Sequence, residues 1–390
     1  MADDKQFEKM VNTPVEKLIP SLAVPMIISM LVTAIYNTAD TFFVSQINTS
    51  ASAAVGVVFS LMSIMQALGF LFGMGAGSSI SALLGQKDYE KSSKIASSAL
   101  FVVFVIGTII SVLGMIFNEN IVSVLGATET ILPYAKSYSM YIFIGTPFIC
   151  SSFVLNNIMR SQGRAFFSML GLSFGGVLNI ILDPIFIFVF KLGIGGAAIA
   201  TLISQFISFG ILLFLCLRKN DMVKLKFKYI SKEFEIYSGI IKRGIPSFSR
   251  QSLASIATIL LNLNAMVYGD AAVSAMSIVG RIAFIMTSVL LGFGQGFQPV
   301  AGFAYGAKKY KRLRKAFKFT ILSGMTLLFI TSVICFAFSK GIIMTFRKND
   351  LDVIRIGTFA LRLQCITMFL QPVSIISNML LQFVDRPLEA

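Results

Sequence analysis

Polar and charged positions along this chain gather in short clusters, and long apolar runs separate them. Many of the runs reach the roughly 20 residues that cross a bilayer as a helix. Ten spans are predicted: 18–45, 53–84, 94–117, 131–159, 166–190, 194–217, 238–267, 272–304, 314–339 and 353–383. Two of them, 53–84 and 272–304, are long for one crossing and are expected to tilt or to extend past the headgroups. The predicted fold class is therefore an all-α polytopic membrane protein.

Composition agrees: the chain is 56% hydrophobic and 13% charged, with a mean hydropathy of +0.81. The net charge of +15 raises the question of a nucleic-acid partner. Its distribution answers it. With the N-terminus in the cytoplasm, 24 Lys and Arg fall in cytoplasmic segments and 6 in outer loops. That excess is the positive-inside signature and sets the orientation. The basic runs LRKNDMVKLKFK and KKYKRLRKAFK are expected against anionic lipid headgroups, with no nucleic acid involved.

Catalytic chemistry finds little support. There is no His, so no His-based metal site, triad or proton shuttle exists. Cys150, Cys216, Cys335 and Cys365 lie in or at the edge of predicted spans and read as small apolar residues. No nucleophile–base constellation is visible, so the chain is not expected to be an enzyme and needs no cofactor. The start, MADDKQFEKM, is acidic and amphiphilic and is not a cleavable signal peptide.

The chain repeats itself. Residues 72–91 read FGMGAGSSISALLGQKDYEK, and 293–312 read FGQGFQPVAGFAYGAKKYKR. Both contain F-G-x-G and, ten residues on, G-x-K-x-Y-x-[K/R]. The entries to the first and seventh spans also match, around Pro20 and Pro246. Six spans separate the copies, so both have the same orientation, a parallel repeat with its axis along the membrane normal. The expected division is an N-terminal lobe of six helices (1–218), a cytoplasmic linker (219–236) and a C-terminal lobe of four (237–390). By that symmetry two helices are missing.

Two acids, Asp40 and Asp183, stand inside apolar stretches. A charge within the bilayer is costly, about 3 kcal/mol or more, and by default marks an ion path or ligand site. The bland alternatives are a helix cap for Asp40 and a structural bend at Asp183-Pro184.

The segments IPSLAVPMIISMLVTAIYNTADTFFV, the G-x-K turn, NNIMRSQGR, LNIILDPIFIF and GIPSFSRQS together resemble the multidrug and toxic compound extrusion (MATE) family, over roughly 14–382. The look is closest to its bacterial drug-exporting branch. The resemblance implies two facing six-helix lobes, twelve helices in all. Here the sequence breaks off after the tenth, in FVDRPLEA, which looks foreign to the family pattern.

The resemblance maps a cation-coupling site onto Asp40, Asn179, Asp183 and Thr201, with Tyr36, Tyr138 and Tyr141 as possible support. Asn179 and Asp183 are four apart and share a helix face. Oxygen ligands without sulfur or imidazole suit H⁺ or Na⁺. Pro25 is the expected kink of the first helix. Pro147, Pro299 and Pro372 are expected to be ordinary kinks. Arg250, Gln251 and Arg281 lie in the second half, and Arg250 is expected to hold contacts at the cytoplasmic mouth or to snorkel. No acid stands in the seventh, eighth or tenth span apart from Asp270, at the turn between the seventh and eighth. Met26, Met30, Met169 and Met276 are candidates to line a cleft for flat lipophilic cations. The expected function is a monomeric secondary-active exporter of cationic amphiphiles in a bacterial plasma membrane. The alternatives are a flippase for lipid-linked oligosaccharides, of the same superfamily, and a non-transporting fragment.

Overall fold

A chain surrounded by hydrocarbon must satisfy each backbone N–H and C=O internally, and long helices do so residue by residue. The computed structural model describes residues 2–218, 221–346, 350–384 and 389, and its regular elements are all helical. In order they are α1 (Ala2–Asn12), α2 (Val15–Ser45), α3 (Thr49–Gly85), α4 (Tyr89–Ile116), α5 (Asn118–Val124), α6 (Leu132–Ser161) and α7 (Ala165–Pro184), which runs on as a π-helical turn over Ile185–Val189. Then come α8 (Gly193–Cys216), a 3₁₀ turn at Phe227–Tyr229, α9 (Phe234–Met266), α10 (Asp270–Gly306), α11 (Tyr310–Ala337), α12 (Ser339–Phe346), α13 (Leu351–Met368) and α14 (Gln371–Phe383).

Among the described residues eight helices are long and apolar enough to cross a membrane. A ninth span arises if α13 and α14, bent by 49°, count as one. Ten were expected. The difference is α9, whose first half carries Glu235, Lys242, Arg243 and Arg250, so its apolar stretch is confined to the second half. The predicted run 353–383 breaks at Phe369–Leu370 because Pro372 opens α14: proline suits a first turn but cannot continue a helix. By contrast, α2 runs unbroken through Pro20 and Pro25. Asp270's side chain and 385–388 of the tail lie outside the described residues.

The elements recur at the spacing seen in the sequence. The ends of α3 and α10, of α4 and α11, and the C-terminal ends of α2 and α9 all lie 221 residues apart. Even the turns agree. Lys87 (φ 64°) and Lys308 (φ 56°) both adopt the left-handed region. Each follows its helix with the same two backbone bonds, Lys87 N to Leu84 O with Asp88 N to Leu83 O, and Lys308 N to Tyr305 O with Lys309 N to Ala304 O. This is a Schellman-type ending.

The two halves meet where α9 lies on α3 and α2 lies on α10. Gly75 of α3 and Gly244 of α9 bring the backbones together: a Cβ on Gly244 would strike the carbonyl of Leu71, and one on Gly75 that of Ile240. The counterpart contact sets Gly296 of α10 with its would-be Cβ 2.6 Å from the Cα of Ala23. Both contacts lie toward the face bearing the basic turns. On that face α1 straps the halves: Arg312 of α11 donates to the carbonyls of Met10 (3.0 Å) and Thr13 (2.6 Å), and Gln6 donates to that of Gln162 (3.0 Å). Toward the opposite face α9 is largely uncovered, with Leu253 63% and Leu260 54% exposed.

Candidate functional site

α6 is the helix most enclosed by its neighbours, packing on α3, α4, α7 and α8. The acids converge around its first turns. On α2 the residues Ser29, Thr33, Tyr36 and Asp40 recur every three or four positions, a polar stripe in an apolar helix. On α7, Gly175 and Gly176 stand one turn before Asn179. A Cβ on Gly176 would lie 2.9 Å from Val32 Cγ1 and 3.2 Å from Tyr36 Cδ1, and one on Gly175 would lie 2.8 Å from Ser208 Cβ. The missing side chains thus draw α7 against both α2 and α8. Thr201, Ser204 and Ser208 line the facing side of α8, all buried.

The result is a closed cluster in the half of the molecule away from the basic face. Asp40, Tyr138, Asn179, Asp183 and Thr201 are all buried. The Tyr138 hydroxyl donates to Asp40 Oδ2 (3.1 Å). The Asn179 amide donates to Asp183 Oδ1 (3.1 Å) and to Thr201 Oγ1 (3.2 Å). Tyr36 stands one turn before Asp40 on α2 and packs against Gly176, one turn before Asn179 on α7. Tyr141, expected as support, is half-buried against the apolar core and makes no hydrogen bond to the cluster among the described residues.

Acceptors outnumber donors here. Asp40 Oδ1, Asn179 Oδ1 and Asp183 Oδ2 are buried without a partner. Such groups are costly unless satisfied, and a set of oxygens is the donor type that hard cations and protons take. Beyond Asp183, Pro184 supplies no N–H to the helix ladder. The chain answers by widening into the π turn, a feature often found at functional sites.

Other expected residues fare differently. Met26 is buried where α2 meets α10, and Met30 receives a contact from Gln295 Nε2 (3.8 Å) across the same seam. Met169 and Met276 are half-buried and Arg281 is exposed. Arg250 does not snorkel: its Nη1 is buried and unpartnered. Sequence reasoning missed a polar lock on the basic face. There Arg243 of α9 donates to Ser79 Oγ of α3 (2.5 Å), while Gln382 of α14 donates to the Arg243 carbonyl (2.6 Å) and to Ser247 (3.0 Å). It also missed buried Asp221, which pairs with Arg164 and pins the segment after α8 to the start of α7. Asp221 looked like loop polarity, and Ser79, Arg243, Ser247 and Gln382 like isolated polar residues near the ends of apolar runs, so no signal marked them.

The MatE family matches residues 25–185 and 246–388, and its second block starts 221 residues after its first. Over 380 residues the chain is 29% identical to "Multidrug export protein MepA" of Staphylococcus aureus (strain MSSA476), covering 97% of this chain and 84% of that protein. A solved structure of the outward-facing conformation of a multidrug resistance MATE family transporter superposes with a TM-score of 0.92 at 27% identity, over 97% of this chain and 85% of that one. Another, of MATE in the bent conformation, gives 0.90 at 28% identity, over 98% and 85%. With a repeated helical fold matched along most of its length, this chain belongs to the MATE family of membrane transporters, proteins that move solutes and are not enzymes.

Proposed function

We propose that this protein exports cationic amphiphilic compounds from a bacterium, exchanging them for inward-moving H⁺ or Na⁺ by alternating access. The observation that carries the reading is the trio of buried, unpartnered oxygens on Asp40, Asn179 and Asp183. In this reading the basic face is cytoplasmic, residues 1–218 and 237–390 are the two rocking lobes, and 219–236 is their tether. The protein sits as a monomer in the plasma membrane with its N-terminus inside.

The packing supports the following cycle. The glycine contacts between α3 and α9 and between α2 and α10, with the Ser79–Arg243–Gln382 lock, close the cytoplasmic side. The cluster at Asp40 and Asp183 is then the part reachable from outside. A proton or sodium ion taken there neutralises negative charge that would otherwise hold a cationic substrate, and the substrate leaves. Closure of the outer side and parting of the glycine contacts carries the ion inward. Pro25, which leaves one backbone carbonyl of α2 without its helical donor, is the hinge through which Asp40 is coupled to the shape of α2. Each pH unit supplies about 1.4 kcal/mol per proton, and each 100 mV about 2.3 kcal/mol per charge.

The test is ethidium accumulation in cells lacking their own efflux pumps, with membrane expression verified. Cells expressing the chain should accumulate less dye, and cells with Asp183→Asn should match the empty vector. Export that survives Asp183→Asn unchanged removes that residue from the coupling path.

A further inference from the structure

We infer that α1 is a latch that keeps its helical form only while the two halves touch at the basic face, because Arg312 of the second half caps it. Parting of the halves at that face, as in the cycle proposed above, uncaps and frays it, and the latch rests on that reading.

α1 belongs to the first half. It runs into α2 through Thr13 and Pro14, Gln6 donates to the Gln162 carbonyl (3.0 Å), and Lys87 lies 4.7 Å from the Phe7 ring centre. Its other contacts reach the second half. The Phe7 ring lies 6.3 Å from that of Phe303 on α10, and Lys309 donates to Asn12 Oδ1 (3.0 Å). Arg312 of α11 donates to the carbonyls of Met10 (3.0 Å) and Thr13 (2.6 Å). These carbonyls stand at the C-terminal end of α1, where a helix has no donors of its own to offer them. A cation there also meets the negative end of the helix dipole. Lys9, the basic residue of α1's own last turn, is exposed. The cap therefore comes from across the seam. α1 has 11 residues, and isolated helices shorter than about 12–15 are marginal in water. Met10 and Val11 are buried, so α1 depends on the surfaces it covers and on this cap.

A counterpart in the second half shows why α1 is the strap that lets go. Shifted by 221, residues 10–13 become 231–234, which enter α9. The chain before that point lies on α4, the counterpart of α11. The N–H groups of Lys224, Lys226 and Ser231 donate to the hydroxyls of Ser93 (2.9 Å), Ser97 (3.2 Å) and Ser98 (2.9 Å). That segment follows α8 and is pinned to the first half again by Asp221 and Arg164. Up to Ser231 it stays on α4 when the halves part. The cap of α1, in contrast, leaves with α11. Lys315 and Glu16 (2.7 Å) also pair across the seam, but both are exposed, and such pairs are worth little.

The test is hydrogen exchange of the full chain in dodecyl maltoside, read on α1, beside double electron–electron resonance between spin labels at Lys91 and Arg314, exposed in opposite halves. Arg312→Gln should speed exchange of α1 by about tenfold or more, the factor that one charge-assisted hydrogen bond carries, and should lengthen the distances. Arg312→Lys should restore part of both, and Lys315→Gln should change neither. The added methyl of Gly244→Ala meets Leu71 of α3, not α1. It should nevertheless speed exchange of α1, because coupling between two sites is reciprocal; a helix that merely covers a surface would not respond. Faster exchange in Arg312→Gln with unchanged distances overturns the inference. So does an effect of Lys315→Gln as large as that of Arg312→Gln, which would place the strength in surface charge. If Gly244→Ala lengthens the distances while α1 stays protected, the latch is refuted and the parting of the halves stands. If neither variant lengthens them, that reading falls and the latch with it.

Discussion

Gly244→Ala tests how the two halves are held closed. The added methyl must occupy space now filled by the Leu71 carbonyl, and backbone cannot swing aside as a side chain can. Overpacking of a tight contact costs about 1–3 kcal/mol. Only the conformation in which α9 touches α3 pays that cost. At about 1.4 kcal/mol per tenfold, the population should therefore shift toward parted halves by roughly 5- to 150-fold. The assay is double electron–electron resonance between spin labels at Lys91 and Lys311, which are exposed on the basic face in opposite halves. Gly244→Ala should move the distance distribution to longer values. The control is Gly239→Ala, five residues earlier on the same helix, where a Cβ meets nothing within 4 Å. It should leave the distances unchanged and, by helix propensity, raise stability by up to about 1 kcal/mol. If Gly244→Ala keeps the short distances and the thermal midpoint, the glycine contact does not hold the halves together, and the closure argument fails.

Three further outcomes are expected. Tyr138→Phe removes the donor to Asp40, a bond worth about 1.5–3 kcal/mol when the acceptor is charged, so ethidium export should fall at least fivefold; Tyr141→Phe should export normally, and equal loss in both would deny Tyr138 its special place. Lys308→Gly should gain about 1 kcal/mol by relieving a left-handed non-glycine residue, read as a higher thermal midpoint; Lys87→Gly should gain less, because Lys87 also lies 4.7 Å from the Phe7 ring centre. Lys136, 2.7 Å from Glu119, holds the Glu119 carboxyl below its ordinary 4.5. The ionised form is therefore favoured on folding, and its contribution is complete above the unfolded value and lost as pH falls through the folded one. Thermal midpoints of Glu119→Gln and the parent should differ by a constant amount above pH 5 and converge in stronger acid; a gap that widens in acid would show the sign to be wrong.

Local information settles much of this protein. A run of twenty apolar residues has few alternatives to a buried helix, so the spans were legible from composition alone, and α9 was misjudged only in how far its apolar part extends. Duplication was legible because turns need particular residues: G-x-K marks the same left-handed ending at Lys87 and Lys308. Asp40 and Asp183 were legible as candidates because a carboxylate in hydrocarbon is expensive wherever the helix goes. What required the tertiary structure is everything that depends on which helices touch. Nothing near Tyr138 in the chain says that it, and not Tyr141, meets Asp40, since 98 residues separate that pair. Short α1, α5 and α12 draw their stability from the surfaces they cover, so their own sequences announce them weakly. Arg160 resembles an ordinary residue near a membrane surface. Only the packing of α6 on α3 buries it, 3% exposed and without a counter-charge among the described residues, because burial is a property of neighbours and not of the residue itself.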